Sequence, residues 1–253
     1  MQLRAFGVSS VGRKRTNNED AFAVVDSIQL FIVADGMGGH SAGEVASRLA
    51  VQHILSFFDQ HGKDEDTTWP FPYDDTLSFP ANKLRTAIAL ANEQIQAYAA
   101  EHPESRGMGT TVVAALSAGE RLIISHVGDS RAYLYDGSRL RGLTADHSWV
   151  SEQVRMGLLK EADAASHPLR NVITKALGTR EQADADIQEV ALNVGDRVLL
   201  CSDGLNSMAQ DAEIEAVLAR GLAIEKACHA LVDLANDKGG EDNITVVLID
   251  RLA

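Results

Sequence analysis

Short apolar segments that follow one another in pairs constrain the fold of this chain more than any other feature of its sequence. They are rich in Val, Ile and Leu and too short for most helices, so they indicate strands. The predicted strands are 3–8, 21–25, 29–34, 110–116, 121–127, 131–135, 186–191, 196–201 and 243–250. Helices are predicted from about residue 41, over 82–100, around 150–154, and over 211–219 and 223–236. Adjacent strands interrupted by helix pairs favour an antiparallel α+β protein over a βαβ fold.

The organisation of the chain is that of one domain over residues 1–253, without internal repeats. Residues 59–81 break the pattern with charges, prolines and aromatic side chains. The segment is longer than a simple helix connection requires, so we predict a loop insertion. It is either a docking surface for a partner or a tolerated elaboration, and the sequence leaves both open.

The formal net charge of −13 excludes several kinds of partner. A charge of this sign repels nucleic acids and anionic membrane surfaces, and the basic cluster Arg13-Lys14-Arg15 is too small to override it. No apolar run reaches the length of a membrane span, and the N-terminus lacks the apolar core of a signal peptide. We therefore expect a cytoplasmic protein without nucleic-acid or membrane partners, and a monomer by default.

Acidic residues stand at the ends of the predicted strands. Asp35 ends strand 29–34, while Glu19 and Asp20 immediately precede strand 21–25. The start of the first strand and the end of the second lie at one rim of an antiparallel hairpin, so these three acids should be neighbours. The further acids at strand ends are Asp129, Asp203 and Asp242. If the other strands are oriented in the same way, all six converge on one end of the sheets.

Such a cluster repels itself unless a counter-ion is present. Oxygen ligands suit Mg²⁺, Mn²⁺ or Ca²⁺, whereas zinc would be expected to recruit His or Cys. Gly36 and Gly204 follow two of the aspartates and leave the backbone free to turn and expose a carbonyl. Any one Asp-Gly pair would more often be a simple turn. The joint placement at strand ends is what favours a metal site.

Seven short motifs accompany these acids. They are Arg15-Thr-Asn-Asn-Glu-Asp20, Val33-Ala-Asp-Gly-Met-Gly-Gly-His40, Gly107-Met-Gly-Thr-Thr111, Val127-Gly-Asp-Ser-Arg131, Asp146-His-Ser-Trp-Val150, Cys201-Ser-Asp-Gly204 and Glu241-Asp-Asn-Ile-Thr245. In this order they resemble the PPM (PP2C-like) family of protein phosphatases, specifically its bacterial branch, over residues 7–249. The resemblance implies an antiparallel β-sandwich of two sheets flanked by helix pairs, four layers in the order α-β-β-α, with metal ions at one end.

The resemblance also implies a role for each ligand. Asp35 would bridge two Mn²⁺ or Mg²⁺ ions, assisted by the Gly36 carbonyl. Asp203 and Asp242 would complete the protein ligands of the first ion, and Glu19 would hold the second, directly or through water. The acid that follows strand 121–127, Asp129, looks like the ligand of a third and weaker ion, with help from Asp203.

The implied activity is hydrolysis of phosphoserine and phosphothreonine in proteins, opposing a bacterial Ser/Thr kinase. A metal-activated water would attack phosphorus in line, oriented by Asp20, without a covalent phospho-enzyme. Arg15 would grip the phosphate oxygens. Arg15 could instead be a solvated member of its basic cluster, but its offset of four residues from Glu19 favours the functional role.

Other positions carry open alternatives. Eukaryotic members usually have a general-acid histidine where this chain has Met37. In this chain His40 is either a replacement acid or a residue at a helix start. The sequence favours neither interpretation of His40 over the other. Residues 145–178 resemble a flap beside the site, in which His147 and Arg170 would be structural or docking residues. Supporting or packing roles are expected for Ser130 and Arg131, and β-propensity suffices for Thr110 and Thr111.

Two competing functions remain. A pseudophosphatase would keep the fold for binding alone, but such relatives lose metal aspartates that this chain retains. A phosphohydrolase of the same chemistry could act on small phosphorylated molecules, and its activity on metabolites rather than on phosphopeptides would separate it from a protein phosphatase.

Overall fold

A computed structural model describes residues 1–38, 42–61, 70–164, 167–179 and 184–253. Its strands are β1 (Leu3–Ser10), β2 (Asp20–Val25), β3 (Leu30–Met37), β4 (Gly109–Thr110), β5 (Val112–Ala118), β6 (Arg121–Val127), β7 (Arg131–Tyr135), β8 (Leu140–Gly142), β9 (Asp186–Ala191), β10 (Arg197–Cys201) and β11 (Ile244–Arg251). Its helices are α1 (Ala42–His61), α2 (Phe79–Glu101), α3 (Trp149–Arg155), α4 (Glu161–Ala164), α5 (Asp203–Asn206), α6 (Asp211–Leu218) and α7 (Ile224–Asp237). A 3-10 turn spans Pro103–Ser105.

The strands form two sheets in which every neighbouring pair is antiparallel. The first sheet has the order β1-β11-β10-β7-β8, and the second has the order β2-β3-β5-β6-β9, with the short β4 pairing beside β3. The long connections between sheets bring strands that are distant in sequence, such as β1 and β11, side by side. Antiparallel pairing therefore holds throughout, as the pairwise pattern of the sequence predicted.

Side-chain alternation along each strand divides the core into three layers. In β3, Phe31 and Val33 face the other sheet, whereas Leu30 and Ile32 face α1 and α2. In the first sheet the inter-sheet face includes Val198, Leu200, Val247 and Ile249, and the opposite face packs on α6 and α7. The result is the predicted four-layer α-β-β-α sandwich. None of the helices in the described ranges is long and apolar enough to span a bilayer.

The predicted boundaries of the insertion differ from the observed ends of the two helices that flank it. α1 continues to His61, and α2 begins at Phe79 rather than at residue 82. Ser78 caps α2 by accepting a hydrogen bond from Ala81 N–H, and Pro80 occupies the first turn, where a missing amide hydrogen costs nothing. Of the segment predicted as a loop over 59–81, residues 62–69 lie outside the described residues.

Candidate metal centre

The inter-sheet face of the sandwich ends in acidic residues at one rim. Asp35 lies two residues beyond Val33 in β3, so its side chain continues the face that packs against the other sheet. Asp20 begins β2 and is the direct cross-strand partner of Asp35. Residues opposite each other in a ladder project to the same face. The hairpin therefore places both carboxylates between the two sheets, as predicted from the sequence.

Asp20 is fixed by residues of the first sheet. Ser202 follows β10, and its hydroxyl donates to Asp20 Oδ2 at 2.8 Å. Ser202 is itself held by Thr245 of β11, which donates its N–H to Ser202 Oγ at 2.9 Å and accepts from Ser202 N–H at 3.0 Å. The other oxygen, Asp20 Oδ1, is buried and has no partner among the described residues. Burial raises the pKa of Asp20 to about 7; hydrogen bonding with Thr245 and Ser202 opposes this rise, and the charges of Asp203 and Asp242 add to it.

Glu19 is anchored through its backbone by Asn243, a residue to which the sequence analysis gave no role. The Asn243 side chain accepts from Glu19 N–H at 2.8 Å and donates to the carbonyl oxygens of Val11 and Asn17 at 3.0 and 2.9 Å. Asn17 in turn donates to Glu19 Oε1 at 3.1 Å. Asn243 thus joins the loop before β2 to the start of β11. Its place beside Asp242, inside the last motif, was the available signal.

Close backbone approach explains the two glycines that follow metal-site aspartates. A Cβ on Gly36 would collide with the carbonyl of Gly43 in α1 and lie 2.5 Å from the Glu19 carbonyl oxygen. A Cβ on Gly204 would collide with the Asn243 carbonyl oxygen. Both positions require glycine because neighbouring backbone occupies the space of a side chain, rather than because of an unusual φ. The predicted metal contact of the Gly36 carbonyl stays a prediction.

Asp129 lies on the turn between β6 and β7 and is only 8% exposed. Burial, then the charges of Asp203 and Asp146, raise its pKa to about 7. Asp146 is held by a bidentate pair with Arg131, at 2.8 and 2.7 Å. The turn is also held by His147, whose Nδ1 accepts from Gly128 N–H at 3.1 Å. Arg131 therefore fixes Asp146, in line with its predicted supporting role, and His147 takes the structural one of its two predicted roles.

Asp203 begins α5, a helix of one turn that was too short to show in the sequence periodicity. Burial and the charge of Asp242 raise the pKa of Asp203 to about 6, and a hydrogen bond with Asp35 opposes this rise. Burial, followed by the charges of Asp20, Asp203, Asp129 and Asp242, raises the pKa of Asp35 well above its ordinary value. The carboxylates from five separate positions in the chain therefore form one interacting group.

Arg15 pairs with one carboxylate of this group. Its Nη2 donates to Asp242 Oδ2 at 2.8 Å, and the Arg15 side chain is 49% exposed. Burial lowers the pKa of Arg15, but the charges of Asp242, Glu19 and Asp35 more than offset this and raise it. The guanidinium is thus directed at the carboxylates instead of at solvent alone. His40, by contrast, lies outside the described residues, so both interpretations of it stay open.

A cleft of about 480 Å³ opens above the acids. Its lining includes Asp129, Asp203 and Asp242, residues of α3, and Arg170 and Asn171. Described residues of the segment predicted as a flap over 145–178 therefore line the same cleft as the acids.

A second cluster of possible metal ligands lies beside β6 and β9. His126, His147 and Asp186 bring ligand atoms within 4.8 Å of one another. Hydrogen bonding argues against a cation there. His147 Nδ1 accepts from Gly128 N–H, so its Nε2 carries the proton in the neutral ring and faces Asp186 at 3.4 Å. A protonated ring nitrogen offers no lone pair to a metal.

The acidic group between the sheets does fit divalent cations. Its donors are carboxylate oxygens, which Mg²⁺ and Mn²⁺ prefer. Asp20 Oδ1 is buried without a hydrogen-bond partner among the described residues, and the pKa values of Asp35, Asp129 and Asp203 are raised. Negative charge concentrated in this way favours the binding of a cation. The fold and this site are those that the sequence resemblance implies for a metal-dependent phosphatase.

Comparison with known proteins gives the family. The sequence profile described as protein phosphatase 2C matches residues 9–236. The chain is 40% identical over 243 residues to the serine/threonine phosphatase stp of Listeria welshimeri, covering 95% of this chain and 92% of that protein. The chain belongs to the protein phosphatase 2C family.

Solved structures agree. Serine/threonine phosphatase Stp1 from Staphylococcus aureus superposes with a TM-score of 0.88 at 36% identity, covering 100% of this chain and 96% of that one. The catalytic domain of the serine/threonine protein phosphatase PstP, in complex with two manganese ions, superposes with a TM-score of 0.82 at 35% identity, covering 99% of each chain. The family and the fold inferred from the motifs are thereby confirmed.

Proposed function

We propose that this protein phosphatase removes phosphate from phosphoserine and phosphothreonine in proteins at the acidic group between its two sheets. The observation that carries the proposal is the convergence of aspartates from β2, β3, the β6–β7 turn, α5 and the loop before β11 beside an open cleft. A side chain on a protein surface can enter a cleft of this kind, whereas an enclosed pocket would select small molecules.

The ligand set is the one that the family resemblance implies. Asp35 would hold two of the ions together with the Gly36 carbonyl. Asp203 and Asp242 would hold the first ion, and Glu19 the second. The acid on the β6–β7 turn, Asp129, would hold a third with Asp203. When bound at such a site, Mn²⁺ or Mg²⁺ lowers the pKa of water and neutralises charge on the phosphoryl group.

Asp20 would position the attacking water. Ser202 fixes one carboxylate oxygen of Asp20, which leaves the second, Oδ1, buried and free to accept a hydrogen bond. An acceptor held by a rigid hydrogen bond orients a water molecule without further reorganisation. The proton that this water loses can therefore be taken up at Asp20 Oδ1.

Arg15 would bind the phosphate of the substrate. Its guanidinium is half-exposed and pairs with Asp242, a residue that lines the cleft. A planar fork of donors matches two phosphate oxygens, which a lysine cannot reproduce. Substrate phosphate would thus be held between Arg15 and the ions, with the peptide extending along the flap.

The partners that this activity implies are phosphorylated proteins and a Ser/Thr kinase that modifies the same substrates. We propose a monomer as the active form, since each ligand of the assigned set comes from one chain. The choice between Mn²⁺ and Mg²⁺ depends on their supply, because both accept the same oxygen ligands.

Hydrolysis of a phosphothreonine peptide and of an aryl phosphate tests the proposal. We expect turnover with Mn²⁺ or Mg²⁺, loss of turnover with chelator, and at least a 100-fold decrease in Asp35→Asn and Asp203→Asn. Asp26→Asn serves as a matched control, because this exposed aspartate lies at the opposite end of the same β2–β3 hairpin. Folded protein that turns over neither substrate with either metal would exclude the enzymatic function.

A further inference from the structure

The β-ladder that contains Asp35 is completed by a threonine side chain. β3 pairs with β5 before Asp35 and with β4 after it in one continuous antiparallel register, which places Asp35 opposite Thr111. Thr111 N–H donates to the Asp35 carbonyl at 2.8 Å, as in a regular ladder. In the other direction, Asp35 N–H donates to Thr111 Oγ1 at 3.1 Å instead of to a main-chain oxygen. Thr111 therefore holds both main-chain groups of Asp35.

The same threonine contacts the turn that carries Asp129. Thr111 Oγ1 and Ser130 Oγ share a hydrogen bond of 2.6 Å, and both side chains are buried at 1% exposure. Gly128, on the other side of Asp129, has φ +106°, and a Cβ there would lie 2.6 Å from the Thr111 methyl. The hydroxyl and the methyl of Thr111 thus contact the residues on either side of Asp129.

We propose that Thr111 is a positioning residue that sets the separation between Asp35 and Asp129, and thereby the affinity of the site for its most weakly held divalent ion. The inference rests on the proposed function, because it takes both aspartates as metal ligands. A β-branched residue has a stiff χ1, so its hydroxyl and methyl are held in one arrangement. Partners that orient metal ligands commonly change metal affinity 10- to 100-fold when they are replaced.

β-propensity alone, the explanation suggested by the sequence, makes a different prediction. Valine has the same shape as threonine and an equal preference for strands. Thr111→Val would therefore be harmless if propensity were the reason for this residue. In the positioning role, the same change removes the hydrogen bond to Ser130 and leaves Asp35 N–H buried without an acceptor.

Calorimetric titration of the metal-free protein with Mn²⁺ tests the role directly. For Thr111→Val we expect the dissociation constant of the weakest Mn²⁺ site to rise by about 10- to 100-fold. Thr111→Ser keeps the hydroxyl but loses the methyl and the stiff χ1, so its dissociation constant should rise by less than that of Thr111→Val. Ser125→Ala is the matched control, because the Ser125 hydroxyl is buried in β6 and has no partner among the described residues.

An unchanged titration curve for folded Thr111→Val would overturn the positioning role. Asp129→Asn separates this failure from a failure of the proposed metal centre. If Asp129→Asn weakens Mn²⁺ binding and Thr111→Val does not, only the role of Thr111 is wrong; if neither weakens it, the third-ion assignment is wrong as well. Ser130→Ala removes the same hydrogen bond from its other end, and it is the deciding variant if Thr111→Val fails to fold.

Discussion

Asp20 and Asp35 lie directly opposite each other in the β2–β3 ladder, with both side chains on the face between the two sheets. Like charges at such positions destabilise a sheet. Burial and neighbouring aspartates raise the pKa of both, that of Asp20 to about 7. The rim of the sandwich therefore favours a bound cation, and repulsion between its carboxylates lowers the stability of the metal-free protein.

Neutralising one of these aspartates should stabilise the metal-free protein while it removes activity. We expect metal-free Asp35→Asn to melt above the metal-free unaltered protein, because one of several mutually repelling buried charges is gone. Each kcal/mol gained corresponds to about 2–4 °C in Tm for a domain of this size. Scanning calorimetry in chelator measures the shift.

The exposed Asp26→Asn, in the same hairpin, is the control and should leave Tm unchanged within about 1 °C. A lower Tm for Asp35→Asn than for this control would contradict the interpretation of the rim as electrostatically strained.

Stability of the metal-free protein should fall as the pH rises from about 5 to 7.5. Folding raises the pKa of Asp129 to about 7 and that of Asp203 to about 6, above ordinary carboxyl values. A folded state that binds protons more tightly than the unfolded state is favoured at low pH and loses this advantage as pH passes through the folded pKa.

Divalent ions replace these protons, so stabilisation by Mn²⁺ should be larger at pH 7.5 than at pH 5.5. Thermal melts with and without Mn²⁺ at both pH values measure the difference, and Asp129→Asn should reduce it. Equal stabilisation at the two pH values would show that these carboxylates do not bind the metal.

Replacing Arg15, the arginine that pairs with Asp242, should weaken substrate binding. We expect Arg15→Ala to raise KM for a phosphothreonine peptide by about 10-fold or more. The substitution removes a charge-assisted hydrogen bond to phosphate, whose contribution to binding is of this size. Arg15→Lys should recover only part of this, since it lacks the planar fork. Steady-state kinetics with saturating Mn²⁺ gives KM and kcat separately.

Arg13→Ala is the matched control from the same basic cluster. The Arg13 side chain points to α7, where it donates to the Asn236 carbonyl and to Asp237 at 2.8 and 3.1 Å. Its loss should leave KM unchanged. Equal effects of the two substitutions would indicate that the cluster acts through general charge rather than through a phosphate contact at Arg15.

The flap should distinguish protein substrates from small ones. Arg170 lines the same cleft as the acids. We therefore expect Arg170→Ala to raise KM for phosphopeptides about 10-fold, because the peptide would lie along the flap. Hydrolysis of an aryl phosphate should stay nearly unchanged. Arg155→Ala, an exposed arginine of α3 that does not line the cleft, is the control. A parallel loss on both substrates would place Arg170 at the phosphate instead of at the peptide.

The motifs of the sequence identified the family, and its short paired strands predicted antiparallel sheets. The assignment of the acids as metal ligands stays a prediction. Apolar periodicity fixed the strands, and the position of acids at strand ends followed from hairpin geometry, as Asp20 and Asp35 show. These features are local, or they depend on pairing between neighbouring strands, so they can be inferred from residue spacing.

The tertiary structure alone decided which residues hold the acids in place. Ser202 and Asp20 are 182 positions apart in the chain, and Asn243 and Glu19 are 224 apart. In the sequence Thr111 has the pattern of an ordinary strand residue, whereas in the structure its hydroxyl lies between Asp35 N–H and Ser130 Oγ. Such hydrogen bonds depend on how the two sheets pack, which no local pattern encodes, because their partners become neighbours only when the whole sandwich has formed.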